Sequence, residues 1–300
     1  MSNVVHCGNP EYKMVHFSWF FTDWCNYNCS YCSAARKMSD SFSKQTSPAR
    51  YKMALAKLKM VTVPFKVEFL GGEPTLHPNM FDVVGELCAM ENCKDIEIIT
   101  NLSRSVAYFE KMNAPEYKGT RILASYHPEY FSQQFIDKSI ALSKMEHLSY
   151  MVNINLSDQP ADWPVIINLI ETLAANNVMY GFNFLNSTPS WQANYTPEFF
   201  DTFAPYLNGR QRDNHSYTFA DGTTKLFSES QIIEQRLDRF KGYSCTPLMY
   251  DIDIDGTIRN LCTRRVIPIT MPATELIKNE ICPLDHCSCD IMYNFYKEKQ

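Results

Sequence analysis

Between Lys13 and Leu185 one pattern repeats, and it limits the folds open to this chain more than any other feature. Lys13–Phe21 (KMVHFSWFF) reads as a buried strand, β-branched and aromatic. Strand patterns recur at Phe65–Leu70 (FKVEFL), Asp95–Thr100 (DIEIIT), Arg121–Ser125 (RILAS), Tyr150–Leu156 (YMVNINL) and Val178–Leu185 (VMYGFNFL). Helical patterns separate them: ARYKMALAKLKMV behind Pro48, then Asn79–Glu91, Ser103–Met112, Ser132–Glu146 and Asp162–Asn176. Five βα units and a closing strand imply an α/β fold of parallel strands joined by right-handed crossovers. Six strands are too few for a closed eight-stranded barrel, so a partial, TIM-like (β/α)6 barrel is expected; a flat doubly wound sheet satisfies the same periodicity. In both, ligands meet the C-terminal ends of the strands.

The remainder divides by composition. Residues 13–185 carry the repeat, and residues 186–227 are polar and aromatic with one helix near Pro197–Tyr206, as in a connector or substrate-covering insertion. The aromatics of that insertion (Trp191, Tyr195, Phe199, Phe200) suit packing better than a substrate cage. Residues 228–300 form a small cysteine-rich tail with a helix expected over Ser228–Phe240, capped by Ser228, and a hairpin in YDIDIDGTIRNLC turning at Asp255-Gly256. A hydrophobic share of 45% supplies a sizeable core, and 28 basic against 33 acidic residues leave −5, which argues against nucleic acid and anionic membranes as partners. No apolar run approaches 18 residues, and MSNVVHCGNPEYK lacks the features of a secretory signal.

Cysteine is unevenly placed. Of 11, three lie within Cys25–Cys32 and five within Cys245–Cys289; Cys7, Cys88 and Cys93 stand alone and receive no role. The odd total and absent signal argue against a disulfide framework and for a reducing, cytoplasmic setting in which the thiols bind something. Cys25, Cys29 and Cys32, spaced C-x₃-C-x₂-C after the first strand, have no fourth Cys or His close by. Structural zinc asks for four closed ligands. Three thiolates suit a cubane iron–sulfur cluster with one iron open.

This spacing resembles the radical SAM superfamily, with Tyr31 at the family's usual aromatic position. Gly71-Gly72-Glu73-Pro74, at the end of the second strand, is similar to the family's GGEP motif. The resemblance implies that Cys25, Cys29 and Cys32 hold a [4Fe–4S] cluster whose open iron chelates S-adenosylmethionine. Gly71 and Gly72 would bring backbone close to that ligand, Glu73 would accept from its ammonium group, and Tyr31 would lie against the adenine. Thr100-Asn101, Ser125, Asn153 and Asn155 at later strand ends are candidates for ribose or carboxylate contacts. His127 is a candidate acid/base or substrate contact, with a satisfied histidine as the plainer reading. The family's glycine-rich adenine motif is not evident.

The tail resembles the auxiliary-cluster domain of SPASM and Twitch radical SAM enzymes, in which cysteines flank a hairpin and further cysteines follow. Five residues separate Gly256 from Cys262, where four is usual. Cys245, Cys262, Cys282, Cys287 and Cys289 are too few for two clusters and one too many for a single auxiliary [4Fe–4S] cluster; a zinc knuckle made from four of them stays open. The implied activity is radical SAM oxidoreduction: dehydrogenation of a small polar metabolite such as a sugar or aminocyclitol, fed by an electron donor such as flavodoxin or ferredoxin. The 24 residues before Cys25 are too few for a leader-recognition domain, which counts weakly against a peptide-modifying maturase. A third possibility is a zinc-stabilised binding module without catalysis. It would leave Gly71–Pro74 no task.

Overall fold

A computed structural model describes residues 4–8, 14–32, 47–185, 194–207, 215–227, 231–232, 235–268, 276–285, 287 and 296–300. The repeat forms as the periodicity demands. Strands β2 (Val15–Thr22), β3 (Phe65–Gly71), β4 (Cys93–Thr100), β5 (Thr120–Tyr126), β6 (Ser149–Leu156) and β7 (Tyr180–Phe184) pair in parallel and in chain order. Helices α1 (Pro48–Leu58), α2 (Met80–Cys88), α3 (Val106–Met112), α4 (Gln133–Leu142) and α5 (Trp163–Ala175) alternate with them. Strand order never reverses among these six, so there is no topological switch point of the doubly wound kind. Pro48 occupies the first turn of α1, where a missing N–H costs nothing.

Each strand has two distinct faces. Val15, Phe17, Trp19 and Phe21 of β2, with Phe65, Val67 and Phe69 of β3 and Ile122 and Ala124 of β5, are sealed within the core. The Trp19 and Phe69 rings stack 5.4 Å apart across neighbouring strands. The opposite face carries polar residues at the alternate positions, because side chains alternate along a strand. At one level this face reads Ser18, Glu68, Glu97 and Arg121, each the register partner of the next across β2, β3, β4 and β5.

Strands from outside the repeat complete two sheets. The expected hairpin is present as β11 (Met249–Ile252) and β12 (Ile258–Asn260), with Gly256 at φ +78° and its N–H donating to the Asp253 carbonyl at 2.8 Å. Its first strand extends the main sheet, parallel to β2 and setting Asp251 beside Ser18, and β13 (Val266–Ile267) closes that edge. A second sheet has the order β14 (Glu280–Ile281), β10 (Tyr243–Cys245), β15 (Lys297–Lys299), β1 (Val4–Cys7), β8 (His215–Phe219), β9 (Thr224–Phe227). The β8–β9 hairpin and β1 are not anticipated from sequence. Helix α6 (Pro197–Leu207) forms as expected, burying Phe199 and Phe203. The helix expected over Ser228–Phe240 does not run through: residues 235–238 form turns, with Arg236 at φ +53°. Ser228 and Trp191 lie outside the described residues.

Candidate active site

The end of β2 and the end of β3 are locked together before the first cysteine is reached. Gly72 N–H donates to the Thr22 carbonyl at 2.6 Å and Glu73 N–H to the Trp24 carbonyl at 2.7 Å. A Cβ on Gly71 or Gly72 would fall well inside contact distance of the Thr22 or Trp24 carbonyl oxygen, and Gly71 sits at φ +124°. The close approach that requires these two glycines is therefore to the backbone entering the cysteine loop.

Glu73 is fully buried at 1% exposure. Its Oε1 accepts from Thr75 N–H at 3.0 Å, Thr75 Oγ1 at 2.5 Å and Thr100 Oγ1 at 2.7 Å, while Oε2 accepts from Asn101 N–H at 2.6 Å. Burial pushes its carboxyl upward, and these donors pull it back. The carboxylate thus ties the turn at Pro74 to the end of β4. Pro74 opens a single 3₁₀ turn, Pro74–Leu76.

The loop Asp23–Cys32 is held from the ends of β4 and β5. Asn101 donates to Asn26 Oδ1 at 2.9 Å and approaches the Cys25 sulfur at 3.8 Å; Tyr27 N–H donates to the same sulfur at 3.3 Å. Beyond β5, Tyr130 stacks on Tyr27 with centroids 4.0 Å apart and accepts from Asn28 N–H at 2.7 Å. Ser30 N–H and its hydroxyl donate to Glu129. His127 Nδ1 lies 3.1 Å from the Tyr31 hydroxyl and 3.5 Å from the Cys29 sulfur, with its ring nearly parallel to that of Tyr31. Its surroundings make His127 part of the cradle of the loop. Burial drives its pKa down to about 4, so it is neutral at pH 7.

Cys25, Cys29 and Cys32 are free thiols. Burial pushes Cys25 up and Cys29 up to about 12, and each raises further when its neighbours are charged. Left alone Cys25 and Cys29 keep their protons; a bound metal would displace them. Three thiols on one loop, with N–H donors aimed at Cys25, are a donor set that fits an iron–sulfur cluster held by three cysteines. Among the described residues no three His, Cys, Asp or Glu side chains converge on one point as a single ion requires.

Of the other candidates, Asn101 is placed as just described. Ser125 and Asn153 face each other as register partners on β5 and β6, and Asn155 accepts from Asn183 at 2.8 Å one step further on. The polar row below them was not singled out from the sequence: Ser18 donates to Glu68 at 3.2 Å, and Arg121 bridges Glu97 at 3.2 Å and Asp95 at 3.5 Å. Burial and the adjacent Glu97 raise the Glu68 carboxyl. Charges at alternate positions of otherwise apolar strands (FKVEFL, DIEIIT) were the available signal.

In the tail, Cys245, Cys282 and Cys287 are buried and Cys262 is half-buried. Cys282 N–H donates to the Tyr243 carbonyl at 2.8 Å, placing it beside the strand that ends at Cys245. Asn260 accepts from Cys262 N–H at 3.0 Å and donates to the Pro247 carbonyl at 3.2 Å, holding Cys262 against the segment that follows Cys245. Cys289 lies outside the described residues.

A parallel sheet with three thiols after one strand and a glycine–glutamate latch after the next defines a radical SAM domain. The family model for the Radical SAM superfamily matches residues 19–116, which contain both motifs, and this stretch is a radical SAM superfamily domain. The GTP 3′,8-cyclase of Aquifex aeolicus (strain VF5) is 28% identical over 45% of this chain, which spans 44% of the cyclase's length. Among solved structures, His6-tagged anSMEcpe with bound AdoMet shares 12% identity at a TM-score of 0.57, covering 89% of this chain and 81% of its own. Streptococcus suis SuiB bound to S-adenosylmethionine shares 14% at 0.53, covering 82% of this chain and 59% of its own. These two likenesses establish a common fold, the α/β parallel sheet of radical SAM partial barrels. No helix among the described residues is long and apolar enough to cross a membrane.

Proposed function

We propose that this protein is a radical SAM oxidoreductase that dehydrogenates a small polar metabolite. The observation that carries the reading is the cysteine loop latched onto Gly71–Pro74 and held by Asn101, His127, Glu129 and Tyr130. Cys25, Cys29 and Cys32 would hold a [4Fe–4S] cluster there, and the chemistry it would supply is the single electron that cleaves S-adenosylmethionine reductively for hydrogen-atom abstraction from substrate. Glu73 keeps the loop and the end of β4 in register around S-adenosylmethionine, and its Oε2, with one acceptor bond made, has capacity for the ligand's ammonium group. Tyr31, Asn101, Ser125 and Asn153 line the approach to it.

The polar face of the sheet supports a hydroxyl- or amine-bearing substrate. Ser18, Glu68, Glu97 and Arg121, joined to one another or to Asp95 by a hydrogen bond and ion pairs, keep further donor and acceptor capacity below the strand ends, a polar surface that suits a polar substrate better than an apolar one. Net dehydrogenation would also require an acceptor for a second electron, and four of Cys245, Cys262, Cys282, Cys287 and Cys289 would hold an auxiliary [4Fe–4S] cluster able to take it, the accompanying proton going to solvent. No disulfide joins the described cysteines, which suits the cytoplasm and a flavodoxin or ferredoxin as donor.

A peptide substrate is the second reading. Native anSMEcpe was solved with bound AdoMet and the Cp18Cys peptide, and it shares this fold at a TM-score of 0.56. Iron, sulfide and zinc content of anaerobically reconstituted protein tests the cofactor assignment beside a Cys25/Cys29/Cys32 triple Ala variant. About eight irons in the parent and about four in the variant support two cubanes. About four irons with one zinc would remove the auxiliary electron acceptor and with it the dehydrogenation.

A further inference from the structure

The turn after β5 brings a hydrogen-bonding nitrogen to one of the three loop thiols. Pro128 holds the residue before it extended, at φ −116° and ψ 112°, and the turn closes with Tyr130 N–H donating to the His127 carbonyl at 2.9 Å. From this short segment His127, Glu129 and Tyr130 all reach the cysteine loop, and His127 reaches a sulfur, its Nδ1 lying 3.5 Å from Cys29. The imidazole packs against two tyrosines, with the Tyr31 ring nearly parallel at 6.1 Å and the Tyr27 ring edge-on at 5.8 Å. Those contacts keep its Nδ1 edge turned toward Cys29 and the Tyr31 hydroxyl.

A free thiol at Cys29 can donate to Nδ1 or accept from it, whereas a thiolate that holds iron can only accept. An Nδ1 without its proton would then set a lone pair against a negative sulfur. Metal ligation at Cys29 therefore favours the tautomer with the proton on Nδ1, whose N–H is given to the sulfur. The Tyr31 hydroxyl, 3.1 Å from the same nitrogen, is a second acceptor and shares that N–H. Hydrogen bonds to the ligand sulfurs are among the features that set the potential of an iron–sulfur cluster. The sulfurs are more negative in the reduced state, so the bond is stronger there and raises the potential. Glu129, whose carboxylate accepts from the N–H of Ser30, the residue after Cys29, brings negative charge that such a donor offsets.

We propose that His127 is a positioning residue that gives its Nδ1–H to the Cys29 thiolate and thereby raises the reduction potential of the cluster held on Cys25, Cys29 and Cys32. The inference rests on the reading of this loop as an iron–sulfur site. In this role His127 transfers no proton, which separates it from the acid/base task that the sequence left open for it.

The test is an anaerobic redox titration followed by electron paramagnetic resonance on the full-length reconstituted protein and its His127→Leu and His127→Asn variants. Leucine and asparagine have nearly the same shape, and asparagine returns an N–H donor close to the position of Nδ1, so the pair isolates the donor from the packing. The signal to follow is the one missing from the Cys25/Cys29/Cys32 triple Ala variant. In His127→Leu that cluster should be reduced at least threefold less at a given potential, a fall of about 28 mV or more for a one-electron couple. His127→Asn should recover most of the shift, and any signal that survives in the triple Ala variant should not move. A potential unchanged in His127→Leu with its iron retained, or an equal fall in both variants, overturns the proposal. If His127→Leu loses the cluster, retention in His127→Asn at the parent's potential supports the donor, whereas loss in both makes His127 a packing residue and overturns it. A parent whose iron content and spectrum match those of the triple Ala variant holds no cluster on the loop, which sinks that reading and the proposal with it.

Discussion

Replacing Glu73 with glutamine changes one atom and should break the latch on which the site depends. In the parent, Oε1 accepts three hydrogen bonds and Oε2 accepts the Asn101 N–H at 2.6 Å. All the backbone partners are N–H groups, so no orientation of an amide satisfies them. With its oxygen in the crowded position, the glutamine NH₂ faces the Asn101 N–H, donor against donor. One charge-assisted bond is lost, about 1.5–3 kcal/mol, and a buried N–H is orphaned at about 1–3 kcal/mol more. Relief of the buried charge, which pushes the Glu73 carboxyl upward, offsets part of this. The net is about 2–4 kcal/mol, equivalent to roughly 30-fold to 1,000-fold in a local opening equilibrium. Amide hydrogen exchange over residues 100–104 of Glu73→Gln should accelerate by at least about 30-fold while β5 and β6 stay protected. Exchange within about threefold of the parent would refute the latch, and Glu73 would then have only its ligand-directed role.

Two further outcomes follow from the same geometry. Gly72→Ala should destabilise by at least about 1–3 kcal/mol in urea unfolding and lower cluster occupancy, because the added methyl meets the Trp24 carbonyl; an unchanged unfolding midpoint would show that the backbone can yield there. Glu68→Gln should flatten stability against pH. In the parent the buried Glu68 carboxyl, beside Glu97, titrates above its ordinary 4.5, so the folded state binds more protons and stability falls as pH rises from 4.5 to the raised value. That loss is about 1.4 kcal/mol for each pH unit of the window, and it should be absent in Glu68→Gln; parallel pH profiles would contradict the buried pair.

The core repeat was legible because β2–β7 owe their identity to local periodicity, with apolar residues at alternate positions and helices of period 3.6 between them. The strands that sequence missed depend on distant partners. Val4–Cys7 is four residues long and is held by residues 215–219 and 297–299. The β8–β9 hairpin carries a turn signal at Asp221-Gly222, with Gly222 at φ +81°, but its exposed threonines read as connector. Over residues 235–238 helical periodicity was outweighed, and the chain turns there on its way to Tyr243. The site divides in the same way. Cys25, Cys29, Cys32 and Gly71–Pro74 declare themselves by spacing, whereas Glu129 and Tyr130 meet the loop across 99 and 102 residues and have no local signature. The two glycines were legible as necessary, although the backbone they admit is that of Thr22 and Trp24.

The most direct test of the account is 5′-deoxyadenosine formation from S-adenosylmethionine under reducing, anaerobic conditions, by reconstituted parent and by Cys29→Ala. The parent should release 5′-deoxyadenosine, and Cys29→Ala, with two thiolates left on the loop, should release none. Cleavage that survives in Cys29→Ala, or a parent that holds its iron and cleaves nothing, would contradict the assignment of this loop.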